Sequence, residues 1–129
     1  MKNVLILGGG GFIGSNLCKR LVTEGYQVTI LDSFSKQVHG EDYRSGYLYN
    51  SIPEGVNIVE ASVLDEAILL DLLQQNEMVY HMISETGTAQ SMYKMQHYTD
   101  VNIGSISVLM DLLVNHATKV KKVFLASSR

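Results

Sequence analysis

The residues of this chain best suited to chemistry are seven near its start, Gly8-Gly9-Gly10-Gly11-Phe12-Ile13-Gly14, and one carboxylate, Asp32, 18 residues after Gly14. Glycine carries no reactive group. A run of them lets backbone N–H groups close around an anion with no side chain in the way. At a strand-to-helix turn the positive helix end adds its own attraction for phosphate. A carboxylate one strand further on accepts both hydroxyls of a ribose. Phosphate cradle and ribose acceptor together form the recognition set for a dinucleotide. Asp32 selects NAD over NADP, because its charge repels a 2′-phosphate and no Arg follows it directly. Two parses of the run share Gly11 and Gly14: Gly9-x-Gly11-x-x-Gly14 and Gly8-x-x-Gly11-x-x-Gly14. In either, one glycine makes the tight turn, Gly11 lets a pyrophosphate approach the backbone, and Gly14 lets helix pack on strand.

The flanking elements are those the motif needs. Val4-Leu5-Ile6-Leu7 is a continuous apolar run, as in a parallel strand covered on both faces. After Gly14, the residues Leu17, Cys18, Leu21 and Val22 recur at helical spacing, and Gly25 stops the helix as a left-handed cap would. Val28-Thr29-Ile30-Leu31 then leads into Asp32. Over the whole chain, apolar patterning predicts strands at about 2–7, 27–32, 56–60, 77–83 and 121–126, with helices at about 12–24, 65–75 and 98–116. This alternation predicts an α/β fold: a Rossmann-like, doubly wound parallel sheet of about five strands in the order 3-2-1-4-5, with the sequence ending after the fifth. Ligands of such sheets sit at the carboxyl edge, near the point where strand order reverses. Residues 84–97 follow the fourth strand at that edge. Residues 33–55 form a long connection with a short helix near 41–50, and its Tyr43, Tyr47 and Tyr49 are expected to pack onto the sheet. Met92 and Met95 also read as packing.

Composition narrows the function. A chain of 129 residues makes one domain, burying roughly two-thirds of its unfolded surface. A net charge of −3 and the absence of a basic cluster beyond Lys119, Lys121 and Lys122 argue against a nucleic-acid surface. The single cysteine, Cys18, lies on the apolar face of the first helix and reads as core, so no disulfide forms within a monomer. No metal-ligand cluster appears. No signal peptide or membrane span is expected, and a cytoplasmic location follows.

With these pieces placed, the chain resembles the N-terminal part of an extended short-chain dehydrogenase/reductase of the NAD-dependent nucleotide-sugar epimerase/dehydratase family. The resemblance covers essentially all 129 residues. Residues 8–17, Gly-Gly-Gly-Gly-Phe-Ile-Gly-Ser-Asn-Leu, are similar to its phosphate loop, and Val79-Tyr80-His81-Met82 to its fourth strand. Thr86-Gly-Thr-Ala-Gln-Ser-Met-Tyr93, Asp100-Val-Asn102 and Phe124-Leu-Ala-Ser-Ser-Arg129 are similar to a loop, a helix start and the fifth strand. The resemblance implies that Gly8, Gly11 and Gly14 shape the loop and that Phe12 and Ile13 lend N–H groups to the pyrophosphate. It implies that Asp32 holds the adenosine ribose and that Ser62 and Val63 lie at the adenine edge. By the same resemblance Ile83 and Ser84 lie where backbone passes close to the cofactor, and Thr86 and Asn102 near its nicotinamide half. Ser128 matches the Ser/Thr that hydrogen-bonds the sugar hydroxyl being oxidised.

The chain departs from the family pattern in four ways. Ser62 stands in place of a usual Asp, Ile83 and Ser84 replace a small pair, and Ser105 replaces a usual Gly. No Tyr-x-x-x-Lys is present: Tyr43, Tyr47, Tyr49, Tyr80, Tyr93 and Tyr98 all lack a Lys four residues on. Hydride transfer from a sugar carbinol needs a base, and loss of a positioned one costs about 10²–10⁴-fold. Residues 1–129 are therefore expected to form a partial NAD-binding domain that binds cofactor but is inactive alone, with a nucleotide-sugar as partner only if a catalytic half is supplied. Two other readings are a stand-alone NAD-sensing or interaction module and a domain that binds nothing. An exposed fifth-strand edge is expected to drive homo-oligomer formation.

Overall fold

The computed structural model describes residues 2–34, 42–83 and 103–126, and the side chain of Tyr43 lies outside that description. The strands are β1 (Asn3–Leu7), β2 (Gln27–Asp32), β3 (Asn57–Glu60), β4 (Met78–His81) and β5 (Lys122–Leu125). They form one sheet in the order β3-β2-β1-β4-β5, and every neighbouring pair is parallel. The helices are α1 (Phe12–Thr23), α2 (Tyr47–Asn50, after a 3-10 turn at Tyr43–Ser45), α3 (Glu66–Leu73) and α4 (Gly104–Asn115). The fold is the doubly wound arrangement expected from the alternation.

Sheet burial explains the apolar runs. Val4 and Ile6 face Cys18 and Leu21 of α1 together with Val28 and Ile30. Leu5 and Leu7 face the opposite way, against Leu31 and Val79, α3 residues Leu69, Leu72 and Leu73, and α4 residues Leu109 and Leu112. Val4 through Leu7 are wholly buried, which is why β1 is apolar at every position instead of alternating. Each such side chain contributes about 1.5–3 kcal/mol. With β1 central, the carboxyl ends of β1 and β2 are set side by side: Leu7 pairs with Leu31, and Asp32 is next.

Helix ends are sharply defined. Gly25 is left-handed at φ +91°, its N–H donates to the Val22 carbonyl and that of Tyr26 to the Leu21 carbonyl, a Schellman closure of α1. Asp65 caps α3 by accepting from the Ile68 N–H at 3.3 Å. The strand expected over 77–83 leaves the sheet sooner, with Met82 and Ile83 beyond its last residue, His81. The helix expected over 98–116 is seen from Gly104 to Asn115, and residues 98–102 lie outside the described range. The helix expected near 41–50 is shorter, a 3-10 turn and a single α turn.

Candidate cofactor-binding site

The glycine run turns the chain from β1 into α1 at the carboxyl edge of the sheet. Gly8 donates to the Leu31 carbonyl at 2.8 Å, and Gly11 donates back to the Gly8 carbonyl at 3.2 Å. Gly8 sits at φ +83°, and a Cβ there would lie 2.9 Å from the Met82 carbonyl group, so only glycine fits. Both parses are used, since a Cβ on Gly9 would come within 2.6 Å of Ile30. The first hydrogen bond of α1 runs from the Ser15 N–H to the Gly11 carbonyl at 2.8 Å. The N–H groups of Phe12, Ile13 and Gly14 thus have no acceptor among the described residues. No side chain caps the helix and its first turn holds no acid. Three donors are thus left without an acceptor at the positive end of α1.

Gly14 and Gly11 are glycines for different reasons. A Cβ on Gly14 would lie 2.4 Å from the Gly8 carbonyl oxygen and 2.7 Å from the Gly9 Cα, so helix and loop meet here without room for a methyl. Gly11 has φ −76° and ψ 178°, which any residue adopts, and its Cβ would meet only the Gly8 carbonyl oxygen, at an ordinary 3.6 Å. Ser, Asn or Asp would cap α1 better at that position. The fold tolerates a side chain there and the sequence has none.

Asp32, at the end of β2, is half-buried beside the loop. Its Oδ2 accepts from the Gly10 N–H at 2.9 Å and its Oδ1 from the Phe34 N–H at 2.7 Å. Carboxylate oxygens each have a second acceptor position, so two remain for hydroxyls. Ser62 follows β3 on the other side of β2. Its Oγ accepts from the Leu64 N–H at 3.1 Å, which holds the turn into α3. Val63 is buried in the core. Ile83 packs against the same core, and its Cγ1 lies beside Gly8. Ser84, Thr86, Asn102 and Ser128 lie outside the described residues.

Three features escaped sequence reasoning. Gly10, an unassigned position in both parses, is a donor to Asp32. Phe34 holds the other oxygen of that carboxylate. Ser105 has a buried partner: His81 Nε2 lies 2.9 Å from its Oγ, with both residues at most 3% exposed. Burial holds the His81 pKa below its ordinary value, which favours the neutral ring. The only prior signal was a histidine in an apolar strand. Burial likewise pushes the Cys18 thiol up to about 11, consistent with an inert core residue. Among the described residues no three His, Cys, Asp or Glu side chains could hold a metal ion, and no helix is long and apolar enough to cross a membrane.

The model of the NAD dependent epimerase/dehydratase family matches residues 4–129. The chain belongs to this family. A curated relative, the dTDP-L-rhamnose 4-epimerase of Burkholderia thailandensis, is 33% identical over 132 residues, covering 99% of this chain and 35% of that protein. Among solved structures, the UDP-glucose 4-epimerase of Thermotoga maritima, crystallised with UDP-glucose, superposes with a TM-score of 0.80 at 26% identity, over 98% of this chain and 38% of that one. The Bordetella bronchiseptica enzyme WbmF in complex with NAD+ gives 0.77 at 28% identity, over 96% and 35%. This chain spans about a third of the length of the curated relatives it matches.

Proposed function

We propose that this chain binds NAD at the carboxyl edge of its sheet and is the cofactor-binding portion of an NAD-dependent nucleotide-sugar epimerase or dehydratase. The observation that carries the reading is Gly11: an uncapped helix start with room for a capping side chain and three N–H groups that have no acceptor among the described residues. A bare N-cap at that place suits an anion that must touch backbone. Phe12, Ile13 and Gly14 would donate to the pyrophosphate, with Gly8 and Gly11 shaping the turn, and Asp32 would accept the adenosine ribose hydroxyls. Ser62 and Val63 would border the adenine, with Ile83, Ser84, Thr86 and Asn102 toward the nicotinamide and Ser128 toward the sugar. NAD held there would supply reversible hydride acceptance to a sugar carbon once a catalytic half is present.

These residues bind and orient. None of them is a base of the Tyr-x-x-x-Lys kind, so residues 1–129 alone are proposed to bind NAD without turnover. Among the departures, Ser105 is satisfied by His81 and Ile83 is packed into the core, so neither supports decay of the site into a non-catalytic module. Self-association through β5 is proposed as well. Among the described residues nothing pairs with its outer edge, while Phe124 and Leu125 are 40% and 46% exposed.

Thermal melting with NAD tests the reading. One-site binding raises stability by about 2.7 kcal/mol at a hundredfold excess over the dissociation constant. NADP should give a much smaller shift. No shift with NAD, or equal shifts with both, overturns it.

A further inference from the structure

We propose that Phe34 is a cofactor-positioning residue, which locks the Asp32 carboxylate onto the glycine loop so that ribose acceptor and pyrophosphate cradle are presented as one unit. The proposal rests on the NAD reading above and adds to it what holds Asp32 in place.

Phe34 is the one non-glycine residue with positive φ among those described, at +53°. That conformation is disfavoured for a bulky side chain and persists only where its surroundings enforce it. Here the enforcement is visible. The ring is 5% exposed, packs edge-on against Tyr49 with centroids 5.7 Å apart, and sits over Gly10. A Cβ on Gly10 would lie 2.6 Å from the Phe34 ring and 2.9 Å from Asp32 Oδ2, so ring, carboxylate and loop interlock. What the left-handed turn achieves is to set the ring back over Gly10 beside the carboxylate, and with the residue wedged there its N–H donates to Asp32 Oδ1 at 2.7 Å. The Gly10 N–H takes Oδ2 at 2.9 Å. Each oxygen is thus pinned by one backbone donor, and the carboxylate cannot rotate away from the ribose or from a 2′-phosphate.

Positioning separates from simple packing through a ratio. NAD and NADP differ only in the 2′-phosphate, so loosening of the loop weakens both alike, whereas release of Asp32 removes both a ribose acceptor and the repulsion of that phosphate. Phe34→Val removes the ring and, being β-branched, resists positive φ. It is expected to lower the NAD-to-NADP affinity ratio by about tenfold in calorimetry, on the scale of one hydrogen bond to a charged group. Phe34→Tyr is expected to retain the wild-type ratio. Should Phe34→Val fail to fold, Phe34→Ala carries the same comparison. An unchanged ratio in the folded variant, with the two affinities falling together or not at all, overturns the proposal. A wild-type protein that does not prefer NAD fails the underlying reading instead, before any variant is made.

Discussion

The two glycines that start α1 can be separated by substitution, because packing requires Gly14 while only the proposed ligand requires Gly11. Gly14→Ala would place a methyl carbon 2.4 Å from the Gly8 carbonyl oxygen, and helix and loop must part by about 0.6 Å to reach even 3.0 Å, below which such contacts are essentially never found. Overpacking of that kind costs about 1–3 kcal/mol. Alanine's preference for the helix returns about 0.5–1 kcal/mol. The net expectation is a loss of about 1–2 kcal/mol, which lowers the melting temperature by about 3–12 °C for a domain of this size. Gly11→Ser meets no obstruction and supplies the missing N-cap, so stability should hold or rise by a few tenths of a kcal/mol. Its hydroxyl would then take a helix-start N–H that the proposed site offers to phosphate. Losing one hydrogen bond to a charged group costs about 1.5–3 kcal/mol, or about 10- to 150-fold in NAD affinity. Melting without ligand and calorimetry with NAD read the two effects independently. Wild-type NAD affinity in Gly11→Ser would refute the ligand argument, and a wild-type melt for Gly14→Ala would refute the packing one.

Further expectations follow from buried groups and the sheet edge. Ser105→Ala strands His81 Nε2 in the core and should cost about 1–3 kcal/mol in chemical denaturation. The His81 pKa is lowered in the fold, so the unfolded chain takes up a proton below its ordinary 6.5 that the folded chain refuses. The His81 contribution is therefore fully present above that pH and is lost as pH falls; His81→Gln should flatten the acid side of the stability profile, and an unchanged profile would count against it. Cys18, fully buried with its thiol at about 11, should resist a thiol reagent at about pH 8 in the native state and react on unfolding. Phe124→Lys at the β5 edge should shift sedimentation toward monomer, and a wild-type protein that is monomeric at all concentrations would remove the self-association proposal.

How much of this was legible in the sequence depends on the range over which each feature is encoded. The β1 run, the helical spacing of Cys18 and Leu21, and the step from Gly14 to Asp32 are local patterns tied to elements of fixed period, so fold and strand order could be read in advance and Asp32 singled out as the proposed ribose acceptor. The Ser105–His81 pair joins residues 24 apart that only the β4-to-α4 crossover brings together. Without the fold, Ser105 reads as a missing glycine. With it, the serine satisfies the buried Nε2 of His81. Gly10 and Phe34 are hidden for another reason: their roles lie in backbone N–H groups, and nothing in the letters Asp-Ser-Phe announces that two of these converge on one carboxylate. In the fold, the carboxylate proposed as a ribose acceptor has each oxygen held by one backbone N–H. The Gly10 N–H ties that carboxylate to the loop that starts α1. On the proposed reading, the chain carries the ordering of its two recognition elements in its own fold and leaves less to be ordered by NAD.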